Sequence, residues 1–227
     1  MSQQKAWGKE NAEECALKCI QGLKKNNLNG YYFPNRTEAL EYMLGKIPPT
    51  ATVGFGDSLT VQQIGLPRAL HGRGQKLISP FWENDPDTYV FPRTKEARQA
   101  TRDALSTDYF VAGINAITLD GKIVNTDAGG NRVAGIIFGP RRVILVAGTN
   151  KIVANVEAAI ERIRKVAAPL NSRRHHLEHG MESNLPCALT GECADCDTCW
   201  PCCYTVIIEH QLYPRIEVVL VGEKLGL

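Results

Sequence analysis

The sequence of 227 residues lacks long apolar runs and any strong excess of one charge. No stretch approaches the roughly 18 apolar residues that a membrane-spanning helix needs. The first residues, MSQQKAWGKENAEECALKC, contain no apolar core of a secretory signal. The net charge is only +2, which gives no electrostatic footprint for nucleic acid or an anionic membrane. We therefore expect a cytoplasmic protein with no membrane span and no nucleic-acid partner.

Internal repeats and the two common phosphate-binding motifs are also missing. Neither GxGxxG nor GxxxxGK[ST] occurs, so nothing predicts a dinucleotide or P-loop nucleotide site. What is present is a hydrophobic fraction of 44%, which is enough to build a sizeable core. From residue 31 onward short apolar strands alternate with helical periods. This alternation predicts an α/β fold, a three-layer, Rossmann-like arrangement with a mostly parallel sheet.

The pattern divides the chain into four segments. We expect an N-terminal helix within residues 1–30 that packs on the domain, and an α/β domain over 31–170. A polar linker and a cysteine-rich segment follow over 171–203, and a C-terminal strand within 204–227 rejoins the domain. In the first segment Cys15 and Cys19 lie on an apolar helical stripe, which favours a core position for both.

Local patterns make further predictions. SLTVQQIGLPRALHG is predicted as a helix kinked near Pro67, and YFVAGINAI as one strand. RVAGIIFG is a helix or a strand, which periodicity alone does not decide. The apolar stripe that starts at Ile152 predicts a helix from there onward.

Three polar loops that contain glycine or lysine lie at the ends of predicted strands. They are GFGDSLT, GINAITLDGKIVNTDAGGN and AGTNK. Because ligands of open α/β sheets bind at the carboxyl ends of the strands, the loops predict a pocket for a small anionic metabolite. The alternative is that they are ordinary turns whose polar residues only cap helices. The candidate ligand-binding residues are Gly54, Gly56, Asp57, Ser58, Thr60, Asn115, Gly129, Gly130, Asn131 and Lys151.

These loops, with PLNSRR further on, resemble the lactate-utilisation (LUD) domain family. The resemblance implies membership of the superfamily of ribose-5-phosphate isomerase, glucosamine-6-phosphate deaminase and CoA transferases. It further implies a Rossmann-like sheet with anion- or acyl-binding loops, with GFGDSLT as the phosphate-binding turn. It also implies that GGN and Lys151 line the same crevice.

One departure from the superfamily concerns the catalytic groups. Asn115 stands near the place where the isomerases and deaminases carry an acidic residue, and an amide cannot act as a general base. No glutamate stands in a loop that would suit CoA transfer. Asn115, Asn131 and Lys151 are therefore catalytic candidates without an assigned acid and base.

The segment GECADCDTCWPCC holds a dense group of thiols. Cys193, Cys196, Cys199 and Cys203 follow C-x2-C-x2-C-x3-C, the spacing of bacterial ferredoxins and a [4Fe–4S] cluster. Zinc accepts similar pairs, and a metal-free segment is the third alternative. The resemblance implies a ligand set of Cys187, Cys193, Cys196 and Cys203, with Cys199 and Cys202 as alternates.

Together these features suggest a component of L-lactate or related 2-hydroxy acid oxidation, as a subunit of an iron–sulfur oxidoreductase. Its expected partners are other lactate-utilisation subunits, and a homo-oligomer stays open. One alternative is a metabolite-binding or regulatory module with a structural zinc. The other is a sugar-phosphate isomerase or CoA transferase-like enzyme.

Overall fold

The computed structural model describes residues 9–81, 94–178, 184–194 and 202–227. The helices are α1 (Lys9–Lys25), α2 (Arg36–Lys46), α3 (Leu59–Ile64), α4 (Leu66–Gly72), α5 (Lys95–Asp103), α6 (Asn131–Ile137), α7 (Val156–Arg162), α8 (Ala168–Glu178) and α9 (Pro186–Thr190). The strands are β1 (Asn29–Phe33), β2 (Val53–Phe55), β3 (Leu77–Ile78), β4 (Tyr109–Gly113), β5 (Ala116–Thr118), β6 (Ile123–Asp127), β7 (Arg142–Gly148), β8 (Ile152–Val153), β9 (Tyr204–Ile208) and β10 (Ile216–Val221). Across these described ranges, every helix is too short or too polar to cross a membrane.

A six-stranded sheet in the order β1-β10-β7-β4-β2-β3 forms the centre of the fold. Every pair of neighbouring strands in this sheet is parallel. All six residues of β10 are buried, as are six of the seven in β7, because a parallel strand between two helical layers has both faces covered. The C-terminal strand β10 thus lies between β1 and β7.

Helices cover both faces of this sheet. On one face Cys15, Cys19 and Leu23 of α1 pack in an apolar cluster with sheet residues such as Leu145 and Val218. On the other face α2, α3 and α4 contribute to a second cluster, which contains the alternate sheet residues Ile144 and Val219. The predicted three-layer α/β class is confirmed, and so is the core position of Cys15 and Cys19, both of which are buried.

A second, four-stranded sheet in the order β8-β5-β6-β9 adjoins the first. The predicted single strand YFVAGINAI is divided between the two sheets, since β4 ends at Gly113 and β5 begins at Ala116. At the crossing the backbone amide of Asn115 donates to Oδ1 of Asn125, at 2.8 Å. The Asn115 amide thus donates to a side chain in place of the backbone carbonyl of a neighbouring strand. At this point the chain passes from one sheet to the other.

The structure corrects one helical prediction and decides another that was left open. The expected kink at Pro67 is a break at Gly65, whose φ of +81° lies in the left-handed region where α3 ends and α4 begins. Pro67 stands in the first turn of α4, where a missing N–H does no harm. RVAGIIFG, which periodicity left undecided, forms the helix α6.

The helix predicted from Ile152 begins later and extends much further. Ile152–Val153 form β8 instead, and Asn155 caps α7 by accepting from the amide of Ala158 at 2.9 Å. After α7 the helical path continues through a π-helical turn, Ile163–Ala167, into α8. Residues 171–178, the first part of the predicted polar linker, are therefore helical. Their sequence lacks an apolar stripe because two of the side chains that α8 buries, Arg174 and His175, are polar.

Candidate functional site

A cavity of about 680 Å³ lies at the carboxyl ends of the parallel strands β2, β4 and β7. The loops that follow these strands form part of its wall, and α8 and the start of α6 form other parts. Seven of the ten predicted ligand-binding residues line it. They are Asp57, Ser58, Thr60, Asn115, Gly129, Asn131 and Lys151. The structure thus brings the three glycine- and lysine-containing loops together at one edge of the sheet.

The other three predicted residues, Gly54, Gly56 and Gly130, lie outside the cavity wall. A Cβ on Gly54 would lie 2.6 Å from the carbonyl oxygen of Ala104, and one on Gly56 would lie 2.7 Å from Cγ of Arg132. These two glycines therefore permit close packing beneath the site rather than contact with an anion. Gly130 takes a φ of +78° as the residue before α6, so its role is to turn the chain.

Asp57 forms the first charged cluster of the wall. Nη2 of Arg174 lies 3.1 and 2.9 Å from its two carboxylate oxygens, and Nε2 of His175 lies 3.1 Å from Oδ2. Burial alone would raise the pKa of Asp57, but the Arg174 guanidinium and His175 outweigh it and hold that pKa well below its usual range. Asp57 therefore does not cap α3; Ser58 does so by accepting from the amide of Val61 at 3.2 Å.

Lys151, in the loop that follows β7, provides a buried amine in the cavity wall. It ends the 3₁₀ turn Thr149–Lys151 after β7, and only 5% of its surface is exposed. Its Nζ donates to Oγ1 of Thr60 at 2.8 Å. Burial lowers the Lys151 pKa well below its usual range, and the nearby charges of Arg162 and Arg132 lower it further.

Arg132 connects strand β6 with the crossing between β4 and β5. Its Nε donates to Oδ1 of Asp127 at 3.2 Å, and its Nη2 donates to Oδ1 of Asn115 at 3.0 Å. Nη2 also reaches the carbonyl oxygen of Thr126 at 2.7 Å. The planar guanidinium, with several fixed donors, suits such a junction. Arg132 thereby holds the Asn115 side chain in place. The side-chain oxygen of Asn115 is already engaged in hydrogen bonds within the protein.

Two hydroxyl groups and a glycine shape the wall between these clusters. A Cβ on Gly113 would collide with Oγ of Ser58 and would lie 3.9 Å from Oγ1 of Thr60. The two hydroxyls therefore flank one point above Gly113. The absence of a side chain there keeps the space beside Ser58 open.

Only part of the predicted metal site is described. Cys196 and Cys199 lie outside the described residues. Cys187 is buried in a small apolar cluster with Leu185 and Ala188, where it packs as a small apolar residue. The described residues contain no group of three or more His, Cys, Asp or Glu side chains that could hold a metal ion.

Sequence reasoning missed Arg132, Arg174 and His175 as residues of the cavity wall. His175 was assigned to a solvated linker, and it is buried. The available signal was the stretch PLNSRR, which contains Arg174 and carries part of the family resemblance. Sequence spacing does not predict the contact, because Asp57 and Arg174 are 117 positions apart.

Comparisons with known proteins agree with this architecture. The sequence model of the LUD domain matches residues 17–219. A DUF162 family protein from Deinococcus radiodurans is similar in structure, with a TM-score of 0.51 and 13% identity, over 93% of this chain and 98% of that one.

A weaker likeness links the chain to ribose 5-phosphate isomerase A from Neisseria gonorrhoeae. Its TM-score is 0.33 and its identity 12%, over 60% of this chain and 65% of that one, which is too low to indicate a shared fold. No curated protein matches significantly. Because the LUD domain match spans most of its length, the chain belongs to the LUD domain family.

Proposed function

We propose that the chain binds a small carboxylic acid of the 2-hydroxy acid type in this cavity, as a component of L-lactate utilisation. Membership of the LUD domain family supports a role related to lactate utilisation. The cavity supplies the site for the ligand, and the observation that carries the proposal is its surplus of positive charge.

The described part of the cavity wall contains five basic residues, namely Arg98, Arg132, Lys151, Arg174 and His175. Among the described residues two acidic side chains line it, and each is neutralised: Asp57 by Arg174, and Asp127 by Arg132 at 3.2 Å. Arg98 and Lys151 therefore remain without an ion-pair partner among the described residues. A wall with unpaired positive charge attracts an anion, and a carboxylate is the anion of every 2-hydroxy acid.

The size of the cavity is compatible with an acid that has a larger body than lactate. At about 680 Å³, it lies within the range of roughly 300–1,000 Å³ that is usual for small-molecule sites. Phe81, Ile114 and Ile163 supply apolar wall. An acyl or other organic group attached to the carboxylate would pack against them.

Acid–base isomerase chemistry receives no support from the wall. Both cavity carboxylates are held in ion pairs with arginine, and the pKa of Asp57 is lowered. A general base needs a pKa near the working pH. We therefore prefer a binding and redox-pathway role over a sugar-phosphate isomerase.

Calorimetric titration with L-lactate tests the proposal, with the uncharged lactamide as the ligand control. We expect saturable binding of L-lactate that weakens as salt is added, and no binding of lactamide. Arg98→Ala should weaken lactate binding about tenfold, whereas Lys95→Ala, on the same helix but outside the cavity wall, should leave it unchanged. Equal binding of lactate and lactamide would contradict the proposal.

The iron–sulfur cluster, or zinc in its place, stays a prediction from cysteine spacing. Metal analysis of anaerobically purified protein tests it: a brown solution with broad visible absorption indicates a cluster, and a colourless protein with bound zinc indicates a structural zinc. Metal-free protein after anaerobic purification would exclude both. Cys196→Ser should abolish binding in either metal-bound case, because it removes one thiolate of the predicted set.

A further inference from the structure

We propose that Nζ of Lys151 forms an imine with the carbonyl carbon of a 2-oxo acid bound in the cavity. The inference rests on the proposed function, since a 2-oxo acid is the oxidised counterpart of a 2-hydroxy acid. It adds a covalent step and assigns that step to one atom.

The position of the amine is the first argument. Lys151 is 5% exposed, and this small exposed part belongs to the cavity wall. A buried lysine that serves only the fold would be expected to pair with a carboxylate. Lys151 forms no ion pair with any described carboxylate, and Nζ contacts the neutral Oγ1 of Thr60 instead, at 2.8 Å. The amine is thus kept at the cavity with no charged partner.

The surroundings favour the uncharged, nucleophilic amine. Arg162 and Arg132 are both buried and both act on Lys151 as like charges. Burial lowers the pKa of Arg162 to about 10, so Arg162 still carries its charge at neutral pH. A lysine that is desolvated beside other cations is a recognised arrangement for an imine-forming amine.

The same cations suit the rest of the ligand. Once a 2-oxo acid enters, its carboxylate compensates part of the buried charge of Arg162, which donates to the carbonyl oxygens of Asn150 and Asn115 and forms no ion pair with any described carboxylate. The hydroxyls of Ser58 and Thr60 flank the open point above Gly113 and can donate to carboxylate or carbonyl oxygen. A 2-hydroxy acid would occupy the same place but offers no carbonyl carbon to the amine.

The step balances without any further reactant. The nitrogen lone pair attacks the carbonyl carbon and gives a carbinolamine, in which the former carbonyl oxygen takes up a proton. Loss of that oxygen as water then leaves the C=N bond. No electron is transferred. The hydroxyl of Thr60, already bonded to Nζ, is placed to pass the proton between nitrogen and oxygen.

Reductive trapping tests the imine. The full-length protein is incubated at neutral pH with pyruvate and sodium cyanoborohydride, and the product is analysed by intact mass and peptide mapping. We expect one modification per chain, on the peptide that contains Lys151. It should increase the mass of the chain by that of pyruvic acid minus one oxygen atom. L-Lactate with cyanoborohydride should give no adduct, and an excess of L-lactate should slow trapping of pyruvate at least tenfold.

Variants and binding measurements distinguish failure of the imine proposal from failure of the proposed function. Lys151→Arg replaces the amine with a guanidinium, which forms no imine, and should lose the adduct completely. Lys122→Arg, whose lysine pairs with Glu209 at 3.1 Å on the surface, should be trapped as fast as the wild type. Saturable pyruvate binding without an adduct at Lys151 would overturn the imine and leave the proposed function intact. Absence of binding for both pyruvate and L-lactate would overturn both.

Discussion

Nη2 of Arg174 lies 2.9 Å from Oδ2 and 3.1 Å from Oδ1 of Asp57, across 117 positions of the sequence. This contact joins α8 to the loop that follows β2. Both residues line the cavity, so the ion pair holds one wall of the site against another. The pair therefore contributes to holding α8 at the cavity.

Asp57→Asn is expected to destabilise the protein by about 2–3 kcal/mol. Removal of one partner of a buried ion pair leaves the other charge uncompensated. The Arg174 side chain is only 5% exposed, but Asp57 is 20% exposed, so the loss should lie at or below the lower end of the range for fully buried ion pairs. Urea unfolding measures the change. Glu161→Gln is the control, because its pair with Lys165 is exposed and should contribute less than about 0.5 kcal/mol.

The same carboxylate predicts a loss of stability in acid. The pKa of Asp57 is lower in the folded protein than in the unfolded chain, where it is about 3.9. Its contribution is therefore fully present above about pH 4 and is lost as the pH falls towards the folded-state value. Melting temperatures of the wild type and Asp57→Asn, measured between pH 6 and 2, should converge as the pH falls. A constant difference would show that the charge of Asp57 is not the cause.

The sequence predicted the features that depend on neighbouring residues. The apolar run before Lys151 identifies β7 as a buried parallel strand, and the rule for strand ends then places Lys151 at the edge where ligands bind. Asp57 and Asn115 follow by the same reasoning. These are local patterns, and the fold class and seven of the residues in the cavity wall can be derived from them.

The features that the sequence left unpredicted depend on distant partners. Arg174 and His175 are buried because Asp57 compensates them, and no periodicity encodes a partner so far away in the chain. Their polarity also removes the apolar stripe by which a helix is recognised, so α8 resembles a linker. The glycines 54 and 56 show the reverse error, since a glycine-rich turn beside a strand predicted an anion site where packing explains both.

Gly22→Ala should destabilise the protein by about 1–3 kcal/mol, because overpacking of a tight contact forces the backbone to shift. Gly22 brings α1 against the turn between β5 and β6: an added Cβ would lie 2.6 Å from the carbonyl oxygen of Asp120. Gly45→Ala is the matched control within α2, where an added Cβ meets nothing within 4 Å. It should stabilise the protein by about 0.5 kcal/mol. Thermal unfolding of the two variants should therefore shift in opposite directions.

Lys151→Met tests whether the buried amine is retained for the ligand rather than for the fold. Methionine has a similar length and needs no hydration, whereas burial of the ammonium form is unfavourable, as the lowered pKa of Lys151 reflects. We expect the free energy of unfolding to rise by about 1–2 kcal/mol, even though Thr60 loses its bond to Nζ. The same variant should bind L-lactate at least tenfold more weakly.

The measurements are urea unfolding and calorimetric titration of the same preparation, both at neutral pH. Lys165→Met is the control, since Lys165 is exposed and pairs with the partly exposed Glu161 at 2.7 Å; the stability of this variant should stay within about 0.5 kcal/mol of the wild type. A destabilised Lys151→Met that still binds L-lactate normally would mean that the amine supports the fold through Thr60. A stabilised variant that no longer binds would mean that stability has been given up at Lys151 to keep its amine at the ligand.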